Sequence, residues 1–308
     1  MNRSVQSALQ SSARKLRLRS FSAAAAAAAS PPAPMPVDAL ENLASVSLNE
    51  DQVAFRELAR DFSLAELQPY AAQWDRESHF PVDTLRAAAQ LGFGAMFCKE
   101  EHGGTGLGRL DGATIFEELS AGCTSTTAYL TIHNMCAWMI DTYGTPEQRA
   151  EWVPKFASME KLSSYCLTEP GSGSDAASLS TRAVLDEATG EFVLDGSKAF
   201  ISGAGTTDVY LVMARTGGGG SGAGGVSCFL VEKGMEGLSF GENEAKMGWK
   251  SQPTRAVFFD GVRVPKTHML GGVDREGQGF KIAMSGLDGG RLSIGGRCAV
   301  AFIFFCVE

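Results

Sequence analysis

The sequence has 308 residues, 44% of them apolar, and a formal net charge of −8. This length can bury one large core or two moderate ones. The charge is uneven, because the first 37 residues hold five basic residues and no acidic one, leaving 22 basic and 35 acidic residues in the rest. An acidic body without a basic stripe argues against nucleic acid as a partner. Seven cysteines without a C-x-x-C pair predict buried, reduced thiols instead of a disulfide framework.

The first 36 residues have the composition of an organelle transit peptide. They are rich in arginine, serine and alanine, lack acids, and end in a proline-rich run. Arg19–Ser22 resembles a matrix-protease cleavage site, with the cut after Phe21, which predicts a mitochondrial matrix protein. The alternative is an uncleaved, disordered tail. No run approaches the roughly 20 apolar residues needed to span a bilayer, so no stable membrane insertion is expected.

Residues 45–163 are predicted to form an α-helical domain. Asn49-Glu50-Asp51-Gln52 has the form of a capping box. Apolar residues then recur at helical spacing as far as Leu67, and Pro69 is expected to close this first helix. Further helices are predicted over Pro81–Leu91, Ala113–Ser120, Thr126–Tyr143 and Pro146–Phe156.

Residues 164–270 are predicted to form a small antiparallel β-domain. Residues 183–185 and 192–194 are predicted to be strands that flank a turn, the pattern of a hairpin. Further strands are predicted over 209–214, 226–231 and 256–259, with Gly217–Gly225 as a flexible connection. A helical pattern returns within residues 271–308, interrupted by Gly289-Gly290. The expected fold class is α+β: an N-terminal helical domain, a middle antiparallel β-domain and the start of a C-terminal helical domain.

The stretch Tyr165–Asp175 lies between these two halves and has the residues of a ligand-binding loop. Pro170-Gly171 predicts a tight turn in which the glycine accepts positive φ. Glycines at 171 and 173 leave backbone N–H groups uncovered, and hydroxyls lie on both sides of them. Such a loop can bind the polar edge of a flat ring, or a phosphate. On loop chemistry alone, a plain connector is the competing interpretation.

The loop Tyr165–Asp175 resembles the flavin-loop signature of the acyl-CoA dehydrogenases, and Phe200–Ala204 resembles their second flavin segment. The segments Gly122–Tyr129, His133–Asp141 and Ser251–Val257 are similar to members acting on short branched acyl-CoAs. The resemblance implies FAD as cofactor, held by Tyr165, Cys166, Leu167, Thr168, Glu169, Pro170, Gly171, Ser172, Gly173, Ser174, Phe200, Ile201 and Ser202. It implies acyl-CoA contacts at Ser174, Asp288, Gly289, Gly290 and Arg291.

The implied reaction is α,β-dehydrogenation of isobutyryl-CoA to methacrylyl-CoA in valine breakdown, with electrons passing to electron-transferring flavoprotein. A homotetramer is expected of a full-length member. No residue matches the family's glutamate base, so no catalytic residue is predicted, and residues 271–308 are expected to be a truncated C-terminal domain with a divergent tail from Arg297. The alternatives are a catalytically inactive fragment and a dehydrogenase for another short or branched acyl-CoA.

Each predicted contact also has a structural explanation. Thr168 and Ser202 could satisfy backbone groups at strand ends. Phe200 could belong to a core, and Arg291 could be a surface cation. The four histidines have no mutual metal-ligand spacing, so no metal site is predicted.

Overall fold

The computed structural model describes residues 48–217 and 222–307. The predicted transit segment, its cleavage site and Glu308 lie outside these residues. Among the described residues, no helix combines the length and apolar character that a membrane crossing needs. The α-helices are α1 (Glu50–Phe62), α2 (Gln68–Glu77), α3 (Val82–Gln90), α4 (Arg109–Gly122), α5 (Thr124–Tyr143), α6 (Pro146–Ala157) and α7 (Gly279–Val307).

The first helix begins as predicted and ends differently. The Asn49 side chain accepts a hydrogen bond from the Gln52 N–H at 2.8 Å, and the Gln52 side chain accepts one from the Asn49 N–H at 3.1 Å. The prediction that Pro69 closes the helix is wrong. A π-helical turn over Ser63–Leu67 follows α1, and Pro69 lies in the first turn of α2. Proline is tolerated there because a helix's first N–H groups need no intrahelical acceptor.

The middle of the chain forms a seven-stranded sheet that is mostly antiparallel. The strands are β1 (Ser163–Cys166), β2 (Arg182–Asp186), β3 (Glu191–Ser202), β4 (Val209–Arg215), β5 (Val226–Glu232), β6 (Leu238–Phe240) and β7 (Thr254–Pro265). They follow the order β1-β4-β2-β3-β7-β6, and β5 pairs with β4. The predicted hairpin is confirmed, with Ala183 opposite Leu194 and Leu185 opposite Phe192. The sheet is not wholly antiparallel, because β1 and β2 run parallel to β4.

Alternation along β1 places neighbouring side chains in two different cores. Cys166 is buried among the apolar residues inside the sheet domain. Tyr165 and Leu167 point the other way, into a core shared by the sheet, α5, α6 and α7. Because successive strand residues face opposite sides, this single strand connects the sheet interior to the helices.

Helix α7 continues through Gly289-Gly290, so the predicted interruption is wrong. A Cβ at Gly289 would lie 2.6 Å from the Arg109 guanidinium carbon, and one at Gly286 would lie 2.8 Å from the Met139 sulfur. These glycines therefore let α7 lie close against α4 and α5. Tight packing offsets the roughly 1 kcal/mol by which glycine disfavours a helix interior.

His133 is a buried, neutral histidine in the long helix α5. Its Nδ1 accepts a hydrogen bond from the Ser163 N–H at 3.2 Å, and its Nε2 lies 3.0 Å from the Phe156 carbonyl oxygen. A carbonyl can only accept, so the ring proton resides on Nε2. Burial lowers the pKa of His133 to about 4, although the Phe156 carbonyl favours the charged form. This histidine is structural and joins α5 to the start of β1.

We expect His133 to make the protein less stable in mild acid. Its pKa is lower in the folded state than the ordinary value of 6.5, so its contribution to stability is present above pH 6.5 and is lost as pH falls towards 4. The free energy of unfolding should drop by about 2 kcal/mol between pH 7 and pH 5. Urea unfolding at both pH values should show this drop. His133→Asn should remove the drop, whereas His79→Asn, at an exposed position, should retain it. An unchanged pH dependence in His133→Asn would refute the assignment.

Candidate functional site

A cleft of about 340 Å³ lies where β1, the central loop (Tyr165–Asp175), β3, α5 and α7 meet. It brings together both sequence segments that were singled out as flavin-binding. Nine of the residues predicted to bind cofactor or substrate line it: Tyr165, Leu167, Thr168, Gly173, Ser174, Phe200, Ile201, Ser202 and Arg291. The remaining lining residues are apolar: Ile132, Ala176, Phe280, Met284 and Leu287.

Helix α7 supplies one wall of the cleft. Phe280, Met284, Leu287 and Arg291 recur at the spacing of a single helix face. Arg291 contributes a cation to the lining, and its Nη1 donates a hydrogen bond to Asp288 Oδ1 at 2.9 Å. Both side chains are more than two-thirds exposed, so this pair contributes little to stability. The wall is thus mainly apolar, with one positive charge.

Phe200 has an unusual backbone and an unusual environment. Its φ is +57°, in the left-handed region that non-glycine residues rarely occupy. The register between β3 and β7 shifts between Lys198 and Ile201, where this residue lies. Its side chain is 66% exposed and lines the cleft, so it is not a core aromatic. A strained residue with an exposed ring in a cleft is a common feature of ligand sites.

Ser202 ends strand β3 and is held by two hydrogen bonds from neighbouring segments. Its hydroxyl oxygen accepts from Gln252 Nε2 at 3.0 Å. Its backbone carbonyl accepts from the Ser164 hydroxyl at 2.6 Å. The Ser202 hydroxyl therefore bonds to a side chain, not to a backbone group at the strand end. Thr168 and Ser174 line the same cleft.

The central loop forms a tight turn. Glu169 and Ser172 exchange two backbone hydrogen bonds of 3.0 and 3.1 Å around Pro170-Gly171. Gly171 does not take a positive φ, so the turn does not require glycine's conformational freedom as the sequence had suggested. The space beside Gly173 is open, since a Cβ at that position would meet no atom within 4 Å. Its backbone is therefore open to a ligand in the cleft.

A buried ion pair joins the central loop to β3. Glu169 Oε1 lies 2.8 Å from the Lys198 ammonium, and both side chains are almost wholly buried. The carboxylate also accepts from the backbone N–H groups of Ser180 and Thr181, at 2.6 and 2.9 Å. Lys198 further donates to the Leu167 carbonyl at 3.2 Å. Burial alone would raise the pKa of Glu169, but the charge of Lys198 and these hydrogen bonds outweigh it and lower the pKa to about 2.

Several predicted site residues do not have side chains in the cleft lining. Glu169 is occupied by Lys198, and the Ser172 hydroxyl donates to the Asp175 carbonyl at 2.6 Å. Gly289 and Gly290 approach Arg109 and Met135, on the packed side of α7. Whether these positions contact a ligand through backbone atoms stays a prediction. The others outside the lining are Cys166, Pro170, Gly171 and Asp288.

Sequence reasoning missed the five apolar residues of the lining and two residues that hold it from behind, Lys198 and Gln252. Lys198 and Gln252 are far along the chain from the groups they hold, and no local pattern connects them. Phe280 was recognised only as a position in a helical repeat, since its place in the cleft depends on how α7 packs. Within the described residues no group of histidine, cysteine or acidic side chains could hold a metal ion.

Comparisons with known proteins agree with this architecture. The "Acyl-CoA dehydrogenase, N-terminal domain" model matches residues 49–160, and the "Acyl-CoA dehydrogenase, middle domain" model matches residues 164–262. The two ranges together take in more than half of the chain. The chain belongs to the acyl-CoA dehydrogenase family.

Individual relatives are more specific. The chain is 55% identical over 251 residues to mitochondrial isobutyryl-CoA dehydrogenase of Dictyostelium discoideum, covering 82% of this chain and 59% of the relative. Its fold is similar to butyryl-CoA dehydrogenase of Megasphaera elsdenii, with a TM-score of 0.76 and 33% identity over 81% of this chain and 65% of that one. It is also similar to a chain from the structure of the electron transferring flavoprotein of Acidaminococcus fermentans, with a TM-score of 0.77 and 35% identity over 82% and 65%.

We expect removal of the Glu169 charge to destabilise the whole cleft. Glu169→Gln leaves the Lys198 ammonium buried without its counter-ion, which should lower the free energy of unfolding by about 3–5 kcal/mol. Urea unfolding at pH 7 measures this. Glu187→Gln makes the same chemical change at an exposed position and should alter stability by less than about 0.5 kcal/mol. The double variant Glu169→Gln/Lys198→Met removes the buried charge and keeps a side-chain oxygen for the Ser180 and Thr181 N–H groups, so it should recover most of the loss. A Glu169→Gln protein as stable as the unmodified one would contradict the structural role of the pair.

Proposed function

We propose that this chain provides the helical and β-sheet domains of an FAD-dependent acyl-CoA dehydrogenase that oxidises a short branched acyl-CoA. The observation that carries the proposal is the meeting of both predicted flavin segments in one cleft. Residues of the central loop and of Phe200–Ser202 come within one lining, although they are distant in sequence. That lining is suited to a flat ring with polar edges.

The residues of the cleft fit a bound flavin. Phe200 offers an exposed aromatic face, and Gly173 leaves open space beside its backbone. Thr168 and Ser202 supply hydroxyls that can bond to ring heteroatoms, and the Phe280 side of α7 supplies an apolar wall. Aromatic faces bind flat rings by stacking, and sparse polar groups in an apolar cleft fix the orientation of a ligand.

When bound, FAD would accept the hydride that leaves the substrate β-carbon. The role of the described residues is to bind and orient the reactants. The apolar wall of α7 keeps water away from the reacting carbons. Arg291 provides a positive charge for an anionic group of the acyl-CoA. Holding the two reactants in contact is itself a large part of such catalysis.

Loss of the substrate α-proton requires a base, which the described lining does not contain. Its polar members are tyrosine, threonine, serine and arginine side chains, with no carboxylate among them. Glu169 is excluded, because its carboxylate is buried against Lys198. We therefore assign binding and orientation to the described residues, and no proton transfer.

Substrate, partner and location are proposed from the relatives and from the residues. A 55% identical relative is named mitochondrial isobutyryl-CoA dehydrogenase, and we propose isobutyryl-CoA, converted to methacrylyl-CoA in valine breakdown, as the substrate here. The similar chain from the electron transferring flavoprotein structure supports that class of protein as electron acceptor. The composition of residues 1–36 supports import into the mitochondrial matrix. We also propose a homotetramer.

Flavin binding in the cleft can be tested by filling the space beside Gly173. Gly173→Val should leave the melting temperature unchanged, since a Cβ there meets no atom within 4 Å. It should weaken FAD binding by at least about tenfold, because the added side chain occupies the ligand's space. The measurement is titration of the purified protein with FAD, followed by flavin fluorescence.

Gly248→Val is the matched control. A Cβ at Gly248 also meets no atom within 4 Å, and this exposed residue lies outside the cleft lining and outside the residues predicted to bind FAD. It should bind FAD as the unmodified protein does. If both variants bind FAD as tightly as the unmodified protein does, the cleft is not the flavin site.

Substrate preference tests the finer part of the proposal. We expect kcat/KM for isobutyryl-CoA to exceed that for butyryl-CoA and octanoyl-CoA by at least about tenfold, the discrimination that shape gives in an apolar pocket. The assay follows flavin reduction in the protein at the full length that its gene encodes. Preference for a straight chain would favour a dehydrogenase of another acyl-CoA. Bound flavin without any turnover would favour a catalytically inactive protein.

A further inference from the structure

Gln252 lies outside the cleft lining and bonds to one of its residues, Ser202. Its side chain is buried, and its Nε2 donates to the Ser202 hydroxyl oxygen at 3.0 Å. Its Oε1 is buried without a hydrogen-bond partner. The backbone around it is fixed by Lys246, whose ammonium donates to the Gln252 carbonyl at 2.7 Å and to the Thr254 hydroxyl at 2.8 Å. A buried amide with an unpaired oxygen lowers the stability of the folded protein, so its presence here calls for an explanation.

The direction of the hydrogen bond between Gln252 and Ser202 follows from which amide groups are left without a partner. With Nε2 towards Ser202, the group left without a partner is a carbonyl oxygen. That orientation also leaves one of the two Nε2 N–H groups unpaired, whereas the reverse orientation would leave both of them unpaired. Unpaired buried N–H groups are rarer in proteins than unpaired carbonyl oxygens. Gln252 is therefore the donor, and Ser202 is the acceptor.

This bond determines what the Ser202 hydroxyl can offer a ligand. A serine hydroxyl has one proton and two lone pairs. Gln252 occupies one lone pair, and its amide group repels the hydroxyl proton from the side on which it lies. Ser202 lines the cleft, so its O–H is left to donate into the cleft.

We propose that Gln252 is a positioning residue that holds the Ser202 hydroxyl as a hydrogen-bond donor to the bound flavin. The inference rests on the proposed function, because it needs a flavin in this cleft. The flavin ring nitrogen that takes up hydride accepts a hydrogen bond in the oxidised ring and carries hydrogen in the reduced ring. A donor held at that nitrogen therefore stabilises the oxidised ring relative to the reduced ring. Gln252 thus sets how readily the cofactor is reduced, without touching it.

A double-mutant cycle between Gln252 and Ser202 tests this coupling. The flavin midpoint potential is measured by spectroscopic redox titration in the unmodified protein, Gln252→Met, Ser202→Ala and the double variant, at the full length that the gene encodes. Loss of one neutral hydrogen bond should raise the affinity for reduced relative to oxidised flavin by about fivefold. That is about +20 mV for a two-electron couple. In the Ser202→Ala background, Gln252→Met should add no further shift, because the group it acts through is absent.

Controls separate this coupling from general damage. Gln252→Asn keeps an amide but shortens its reach, and it should raise the potential as Gln252→Met does. Gln73→Met, on an exposed part of α2, should leave the potential unchanged. Melting temperatures of all variants show whether the fold is retained, and replacing a half-paired buried amide by an apolar side chain should not lower them much.

The outcomes are distinct. A shift in the Gln252 variants that disappears without Ser202 supports the inference. The same shift in both backgrounds, or no shift in either, overturns it while leaving flavin binding intact. An unmodified protein that binds no flavin overturns the proposed function, and this inference with it.

Discussion

The ion pair between Glu169 and Lys198 is the interaction on which the site depends. The two residues are 29 positions apart, one in the central loop and one in β3. Beside the pair, the Ala199 N–H donates to the Thr168 carbonyl at 2.9 Å. These bonds hold the central loop and the start of Phe200–Ser202 side by side. A buried pair contributes little net stability compared with apolar residues, but it fixes one arrangement strictly, because either partner alone would be a buried charge.

The bonds around the Glu169–Lys198 pair offset the backbone strain at Phe200. A left-handed conformation costs a non-glycine residue about 1–2 kcal/mol, and Phe200 adopts it two residues after Lys198. With Lys198 and Ala199 fixed to the loop on one side, and Ser202 bonded to Ser164 on the other, the backbone between them must take this path. The consequence is an aromatic ring turned out of the sheet towards the cleft, and not into a core.

Local sequence patterns were sufficient to predict the helices and strands, but not the contacts between them. Asn49 and Gln52 predicted a helix start because both partners of a capping box lie within four residues. The alternation on either side of residues 186–191 predicted the β2–β3 hairpin for the same reason. Lys198 could not be assigned, since a lysine in a strand gives no sign of a carboxylate in another loop. Gly289-Gly290 suggested a break because their packing partners, Arg109 and Met135, are on two other helices.

Arg109 of α4 packs against the glycine face of α7, whereas another face of α7 lines the cleft. Its guanidinium lies over the rings of Phe97 and Trp138, at 4.2 and 4.9 Å from their centres, and fills the space left by Gly289. That close approach brings α7 against α4 and α5 on its glycine face. The face carrying Phe280, Met284 and Leu287 is thereby turned to the cleft. A larger residue at Gly289 would displace the Arg109 guanidinium from the rings of Phe97 and Trp138, although position 289 lies outside the cleft lining. Gly289 therefore contributes to the site by leaving room for the cation that packs against α7 on its glycine face.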